Sequence, residues 1–333
     1  MSSAREIQAI LAAAGEQPAA LATLIAVSGS SYRQVGARCL VLSNGVAIGS
    51  ISGGCLEEDV RQRAAKVLAS GEAQVMVYDT AQENDLVWGT GLGCQGEVKV
   101  LFERLPSPRP VWMERLRENL AQRRDTHLRI VHEAEDARAL GTRLCEDEPL
   151  AHDLKFVEER IAAPPSVVVF GAGDDTMPLV EFAGRLGWHI AVLDTRAAYA
   201  TRERFPQAHH VSVLDADVAA SHPAIDRRSH VLVMSHRYRS DLAFLRAMLP
   251  LEIAYLGVLG PRQRTQRMLD ELAGEGAALP QHLRQRLYAP VGLELGGASP
   301  ETVALSIIAE LQAIQSGRTP RHLRDSPGPI HGR

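Results

Sequence analysis

Runs of apolar residues in the first hundred positions have the length and alternation typical of β-strands. Asn44-Gly45 separates two of them and is a strong signal for a tight hairpin turn. The strands are expected at 21–29, 37–43, 46–52, 73–80 and 97–105. The pattern therefore predicts a small sheet with at least one hairpin.

Two helices accompany these strands. Residues 3–14 carry apolar positions on one face, which predicts a short amphipathic helix at the start of the chain. Leu56, Val60 and Ala64 recur at helical spacing, and Gly71 is expected to end this second helix. The first part of the chain is thus predicted to be a mixed α/β domain.

From Ser166 onward, short buried strands alternate with helical segments. Strands are expected at 166–170, 189–195, 229–236 and 253–260, and a last helix near 300–315. Alternation of this kind predicts a parallel sheet with right-handed crossovers. The fold class is therefore α/β, with an N-terminal mixed α/β domain and a C-terminal Rossmann-like parallel-sheet domain.

Composition shifts suggest the domain limits. The first domain is predicted at 1–105 and the Rossmann-like domain at 166–318. Between them, 106–165 is charged, contains one predicted helix near 111–123, and ends in a Pro-Pro linker. Residues 319–333 are rich in Pro, Gly and Arg and are expected to form a loose tail.

Charge and cysteine content exclude several classes of protein. The 333 residues carry a net charge of −4 with both signs mixed, so no basic surface for nucleic acid is expected. No run of 18 apolar residues suggests a membrane helix, and the first residues do not resemble a secretory signal. The four cysteines form no CxxC pair, which favours reduced thiols in the cytoplasm.

The turn Gly171-Ala172-Gly173 after a predicted strand begins a dinucleotide-binding fingerprint, and Asp194 ends the next strand at the usual ribose-binding distance. Thr176 replaces the third glycine, and Asp174 and Asp175 stand where a diphosphate would need amide groups. A carboxylate there can instead cap the helix. The motif therefore indicates the fold strongly and NAD(P) binding weakly.

Cys55 follows Gly53-Gly54 and opens a predicted helix, where a lowered pKa would give a thiolate able to bind a soft metal or carry sulfur. The acidic residues directly after it, beginning with Glu57, oppose ionisation, and a buried inert thiol is an equal alternative. Cys94 presents the same two alternatives, whereas Cys39 is expected in the core.

Glycine-rich loops can direct successive amide groups toward an anion. Gly53-Gly54 is one such loop, and Gly91 and Gly93 belong to another. If they converge with Arg33 and Arg38, they form an anion site with thiols; alternatively, the glycines only allow tight turns.

His236 ends a predicted strand at the edge where Rossmann sheets bind ligands, although a capping or surface role is favoured for it.

Several segments together resemble the XdhC/CoxI family of accessory proteins for molybdenum hydroxylases such as xanthine dehydrogenase. In the first half these are GSSYRQVGARCLVL, IGSISGGCLEEDV and DLVWGTGLGCQG. In the second half, VVVFGAGDD, VMSHRY and APVGLELGGASPETVALSIIAE carry the resemblance. It extends over almost the whole chain, and SGGCLE is among its most specific segments.

The resemblance implies an accessory chaperone without turnover. Such a protein would bind molybdenum cofactor (molybdopterin), sulfurated by a cysteine desulfurase, and insert it into an apo xanthine dehydrogenase-type molybdenum hydroxylase. It makes Cys55, with Gly53 and Gly54, the leading contact for the molybdenum or its sulfur ligand, and places Gly91, Gly93 and Cys94 second. Apolar sheet edges also suggest a homodimer.

Two other functions stay open at this point. An NAD(P)-dependent oxidoreductase would use Gly171, Gly173 and Asp194 to hold the dinucleotide. An interaction scaffold would leave every thiol inert. The client enzyme and the form of the cofactor, plain or dinucleotide, are not specified by these motifs.

Overall fold

The computed structural model describes residues 2–15, 17–29, 31–79, 96–146, 154–277 and 279–325. The chain divides into two compact units, Met1–Pro164 and Pro165–Arg333.

A five-stranded antiparallel sheet forms the centre of the first unit, in the order β3-β2-β1-β5-β4. Its strands are β1 (Ala19–Gly29), β2 (Arg38–Leu42), β3 (Ala47–Gly49), β4 (Gln74–Asp79) and β5 (Gly96–Leu105). The predicted hairpin is confirmed, because β2 and β3 pair across the Asn44-Gly45 turn and Gly45 has a left-handed φ of 84°.

Helices cover both faces of this sheet, since successive residues of a strand point to opposite sides. On one face, α1 (Ala4–Ala13) and α3 (Val111–Ala121) pack through Ile10 and Met113. On the other, α2 (Glu57–Ser70) packs through Val60, Ala64 and Val67. Gly71 ends α2 in the left-handed conformation, as the sequence predicts.

Residues 106–146 and 154–161 fold as part of the first unit, which corrects the expectation of a separate connecting segment. Besides α3 they form a three-stranded antiparallel sheet, ordered β7-β6-β8. Its strands are β6 (Thr126–Glu133), β7 (Gly141–Leu144) and β8 (Lys155–Ile161). Leu128, Leu144 and Ile161 enter the same core as α1 and α3, so this segment buries apolar surface that a linker would leave in water.

The second unit contains a six-stranded parallel sheet, ordered β11-β10-β9-β12-β13-β14. The strands are β9 (Ser166–Phe170), β10 (His189–Asp194), β11 (His210–Val213), β12 (Ser229–Val233), β13 (Tyr255–Val258) and β14 (Leu287–Tyr288). This is the strand order of the doubly wound Rossmann fold, whose ligand crevice lies at the carboxyl ends of the two strands where the order reverses. Here these strands are β9 and β12.

Both faces of the parallel sheet are covered, which confirms the predicted α/β class. One core contains α4 (Thr176–Arg185) and α9 (Pro300–Gln315), with Leu179 and Ile307 fully buried. The opposite core contains α6 (Tyr238–Met248) and α7 (Arg262–Gly274). Each fully buried Leu or Ile side chain stabilises such a core by about 1.5–3 kcal/mol.

Two short helices complete the unit, α5 (Ala216–Ala219) and α8 (Gln281–Arg284).

Candidate functional site

The loop between β3 and α2 presents Cys55 to solvent. Cys55 is exposed, whereas Cys39 lies in β2 within the core of the first unit. Burial, together with the nearby Glu57 carboxylate, raises the pKa of the Cys39 thiol to about 11. The structure therefore distinguishes an accessible thiol from a buried one that is protected from reaction.

Gly53 and Gly54 adopt φ values of 119° and 131°, a region that residues with a side chain rarely enter. A Cβ at position 53 would lie 2.8 Å from the ring of Tyr32. The Tyr32 side chain is 70% exposed, so an aromatic face stands in solvent beside the glycines that precede Cys55. No local pattern in the sequence indicates this contact, because the distance between Tyr32 and position 53 depends on the fold.

The amide groups of this loop are directed toward an anion, but the anion is the protein's own Glu57. Its carboxylate accepts hydrogen bonds from the amides of Ser52, Gly53, Gly54 and Leu56, at 2.9–3.2 Å. The hydroxyls of Ser50 and Ser52 donate to the same carboxylate at 2.6 Å. Amide donors of this loop thus converge on one position, and an internal carboxylate occupies it.

This arrangement changes the acidity of Glu57. Burial by itself raises the pKa of the carboxyl, but the hydrogen bonds from Ser50, Ser52 and Gly53 outweigh burial and lower the pKa to about 2. Glu57 is therefore ionised at neutral pH and fixes the loop that carries Cys55. The sequence pattern indicates only that Glu57 lies in the first turn of a helix and opposes ionisation of the thiol; its contacts with the loop amides depend on the fold.

Both arginines expected at an anion site are bound to carboxylates. Arg33 donates two hydrogen bonds to Glu6, at 2.6 and 2.8 Å. Arg38 is buried and forms a bidentate ion pair with Glu159, at 3.0 and 2.5 Å. The expectation for Arg38 is thus corrected, because its guanidinium faces the protein interior and has no access to an external anion. Arg33 is partly exposed but is already paired.

The second glycine loop, with Gly91, Gly93 and Cys94, lies outside the described residues. Its convergence with Cys55 stays a prediction. Within the described ranges, no group of three or more His, Cys, Asp or Glu side chains is arranged to hold a metal ion. Cys55 is accordingly a single candidate ligand there, rather than one of a cluster.

In the second unit, Gly171 permits a close approach of two strand ends. Its φ is 123°, and a Cβ at this position would lie 2.5 Å from the carbonyl oxygen of Met234. A Cβ at Gly173 would lie 2.8 Å from Oδ1 of Asp175. Both fingerprint glycines therefore allow close contacts within the protein itself. These contacts do not require a bound diphosphate.

Asp194 is not open to a ribose hydroxyl. Its buried carboxylate accepts a hydrogen bond from the amide of Ala172 at 2.7 Å and pairs with Arg196 at 2.8 Å. Burial alone raises the pKa of this carboxyl, but the hydrogen bonds from Arg196 and Ala172 outweigh it and lower the pKa. The expected dinucleotide role of Asp194 is corrected, since its acceptor atoms already bind the turn.

The two carboxylates after the turn have partners of their own. Asp174 pairs with Arg204 at 2.7 Å, and Asp175 binds Nε2 of His236 at 2.6 Å. Neither residue takes the expected capping role at the start of α4, because the N-cap Asp175 makes no side-chain hydrogen bond to the helix. The sequence placed His236 at the correct sheet edge, but not in contact with Asp175.

His236 has a left-handed backbone, with φ of 60°, and its side chain is 61% exposed. This conformation costs a residue with a Cβ about 1 kcal/mol. Asp175 and His236 therefore form an accessible carboxylate–imidazole pair at the carboxyl ends of β9 and β12.

Among the described residues, no helix is long and apolar enough to cross a membrane.

Comparison with known proteins identifies two family regions. Residues 12–79 match the XdhC and CoxI family, and residues 167–311 match the XdhC Rossmann domain. Cys55 and its glycines lie in the first region, and Asp175 and His236 lie in the second.

Individual proteins match over most of the chain. A Bacillus subtilis protein described as a probable subunit of xanthine dehydrogenase is 31% identical over 315 residues, covering 89% of this chain and 93% of that protein. The molybdenum cofactor insertion chaperone PaoD of Escherichia coli is 23% identical, covering 93% and 86%.

A crystal structure from Bacillus halodurans, described as a xanthine dehydrogenase, superimposes with a TM-score of 0.79 at 29% identity, covering 98% of each chain. The two matched regions and the 31% identical relative of nearly equal length indicate one family, and the structural neighbour has the same fold. The chain belongs to the XdhC and CoxI family.

Proposed function

We propose that this protein binds molybdenum cofactor as cargo and inserts it into a xanthine dehydrogenase-type molybdenum hydroxylase. Family membership supports this function, as do the relatives described as a molybdenum cofactor insertion chaperone and as a probable subunit of xanthine dehydrogenase. The observation that carries the proposal is the exposure of the Cys55 thiol on a loop that Gly53 and Gly54 shape.

The Cys55 thiol is suited to contact the molybdenum of the cofactor or its sulfur ligands. A thiolate is a preferred ligand for soft metals and can approach their sulfur ligands. The exposed ring of Tyr32, beside Gly53, offers a flat apolar surface on which a planar pterin can stack. We therefore assign Cys55 to the molybdenum end and Tyr32 to the ring system.

The phosphate of the cargo needs a different location. While Glu57 accepts the hydrogen bonds of four loop amides, those amides cannot bind a second anion. The Glu57 carboxylate would also repel a phosphate at the same place. We assign Gly53 and Gly54 to shaping the loop, and leave the phosphate to other residues, including Gly91 and Gly93 of the second glycine loop.

Three further proposals concern the sulfuration of the cofactor, the oligomeric state of the protein and its compartment. We propose that a cysteine desulfurase sulfurates the cofactor before delivery, that the protein acts as a homodimer, and that it functions in the cytoplasm. The exposed thiol of Cys55 supports a reducing compartment, where such thiols persist.

A loading experiment tests the function. The protein and its Cys55→Ser variant are produced in cells that synthesise the cofactor, and molybdenum and oxidised pterin are measured after purification. We expect both in the wild-type protein and at least a tenfold loss in Cys55→Ser. Cys145→Ser, which changes a partly buried thiol, should load like wild type. Absence of both from wild type, or equal loading of Cys55→Ser, would contradict the proposal.

The contacts of the expected dinucleotide-binding residues argue against the oxidoreductase alternative. Asp194 is bound to Ala172 and Arg196, and the carboxylates of Asp174 and Asp175 follow the glycine turn. We therefore propose no dinucleotide role for Gly171 and Gly173. A fluorescence titration with NADH tests this directly, and saturable binding at micromolar concentration would restore the alternative.

A further inference from the structure

We propose a second site, at the carboxyl edge of the parallel sheet, where Nδ1 of His236 accepts a hydrogen bond from the hydroxyl of a small anionic ligand. Asp175 holds the imidazole in place. This site lies wholly in the second unit and does not rest on the function proposed for Cys55. It gives the Gly171–Asp175 turn a function other than dinucleotide binding, namely to position Asp175 against His236.

The glycines of the turn bring the two strand ends together. Because Gly171 has no Cβ, the turn after β9 lies against the backbone of Met234 and Ser235 after β12. Gly173 leaves space for the Asp175 carboxylate, and a Cβ there would also lie 4.0 Å from the His236 ring. The result is the 2.6 Å contact between Asp175 and His236. Both glycines thus favour this pair.

The contact fixes the imidazole tautomer. An ionised carboxylate can only accept hydrogen bonds, so Nε2 of His236 must carry the hydrogen that it shares with Asp175. In the neutral ring, Nδ1 then has a free lone pair. Nδ1 has no hydrogen-bond partner within the described part of the chain, and the side chain is 61% exposed. Nδ1 can therefore accept a hydrogen bond from a ligand, and the carboxylate orients the ring that carries it.

The backbone around His236 is fixed by a separate network. The Asp241 carboxylate, fully buried, accepts hydrogen bonds from the amide and hydroxyl of Ser235 and from Arg264. The loop therefore has an anchor that is separate from the contact between the exposed His236 and the part-buried Asp175.

Charge near these strand ends favours an anionic ligand. The other carboxylates described above are each matched by an arginine, in the pairs Asp174–Arg204, Asp194–Arg196 and Asp241–Arg264. Arg237 follows His236 directly, and Arg262 begins α7 after β13. Both are exposed and form no ion pair with any described residue. Two arginines unmatched among the described residues therefore follow the carboxyl ends of β12 and β13, the edge at which His236 lies, and this charge suits a ligand with a hydroxyl and a phosphate or carboxylate.

Nuclear magnetic resonance of the full chain, labelled with ¹⁵N-histidine, tests the site. Glycerol 3-phosphate and D-glycerate are titrated separately, because they share the hydroxyl chemistry and differ in the anionic group. Glycerol serves as the uncharged control. We expect a saturable change of the His236 signals with at least one anion at millimolar concentration. Glycerol should require at least tenfold more.

Two variants separate the site from the fold. His236→Asn suits a left-handed backbone but lacks the Nδ1 acceptor, and should weaken binding at least tenfold. Asp175→Asn should remove the preference for the Nε2-protonated tautomer, visible in the ¹⁵N shifts, and also weaken binding. His282→Asn, which changes an exposed histidine of α8, is the matched control and should bind like wild type.

The proposal is overturned if neither anion binds, if glycerol binds as well as the anions, or if His236→Asn binds unchanged. It is also overturned if Asp175→Asn loses the tautomer preference but binds with wild-type affinity. Cofactor loading through Cys55 is measured separately, so failure of either proposal leaves the other testable.

Discussion

The Oε2 atom of Glu57 lies 2.9 Å from the amide nitrogen of Gly54, and this contact joins the first turn of α2 to the loop that exposes Cys55. The carboxylate takes the place that an external anion would need. It thereby stabilises a loop whose two glycines adopt positive φ values. Access to Cys55 thus depends on a neighbouring acidic residue that sequence reasoning had counted against the thiol.

Glu57→Gln should destabilise the first unit. The neutral amide accepts hydrogen bonds less strongly, and its NH₂ group would face amide donors. We expect a loss of about 1.5–3 kcal/mol in the free energy of unfolding, the range for hydrogen bonds to a charged group. Denaturant unfolding at pH 7 measures it. Glu58→Gln is the matched control, because Glu58 is exposed and binds Arg61 and Gln62 on its own helix. It should change stability by less than about 0.5 kcal/mol. Equal effects would refute the role of Glu57.

The same carboxylate predicts a pH dependence. The pKa of Glu57 is about 2 in the folded protein, below its ordinary value of 4.5. A lowered folded-state pKa contributes stability above the unfolded-state value, and this contribution is lost as pH falls from about 4.5 to about 2. The stability difference between wild type and Glu57→Gln should therefore shrink across this window. A constant difference down to pH 2.5 would show that the carboxylate charge is not responsible.

The thiols should differ in reactivity. Cys55 is exposed, whereas Cys39 is buried with a pKa raised to about 11. Because the thiolate is the reactive form, we expect iodoacetamide at pH 7.5 to modify Cys55 at least about a hundredfold faster than Cys39. Peptide mass spectrometry measures both rates in one sample. Unfolding in denaturant should remove the difference, and comparable rates in the folded protein would contradict the burial of Cys39.

Arg38→Met should be strongly destabilising. It leaves the buried carboxylate of Glu159 without its counter-charge, which costs about 3–5 kcal/mol. Arg129→Met changes a neighbouring ion pair with Glu158, whose carboxylate is more than half exposed, and should cost at most about 1 kcal/mol. Thermal unfolding compares the two variants. If Arg38→Met also recovers stability when combined with Glu159→Met, the loss comes from the unpaired charge.

Gly171→Ala should destabilise the second unit and separate Asp175 from His236. The new Cβ would lie 2.5 Å from the Met234 carbonyl oxygen at a φ of 123°. We expect a cost above about 1 kcal/mol. Gly274→Ala, near the end of α7, meets no atom within 4 Å and should leave stability unchanged or raise it by up to about 1 kcal/mol. Similar unfolding curves for both variants would disprove the close approach.

Local pattern predicted most of the elements around both candidate sites. The strand Ser166–Phe170 and the helix Pro300–Gln315 fall where they were expected, since hydrophobic period and turn residues are local properties. The strands between residues 126 and 161 were missed. Their charged residues alternate with apolar ones in a segment dominated by charge, and their pairing depends on a core shared with α1 and α3.

By itself, the sequence determined the fold class, the turn at Gly171, the position of Cys55 before a helix and the resemblance to one family. Tertiary structure alone decided the partners of the charged groups: Arg38 with Glu159, 121 positions away, and Asp175 with His236, 61 positions away. The reason is physical. Propensity and periodicity act over a few residues, whereas an ion pair or a base–carboxylate contact forms only where folding brings distant backbone segments within about 3 Å.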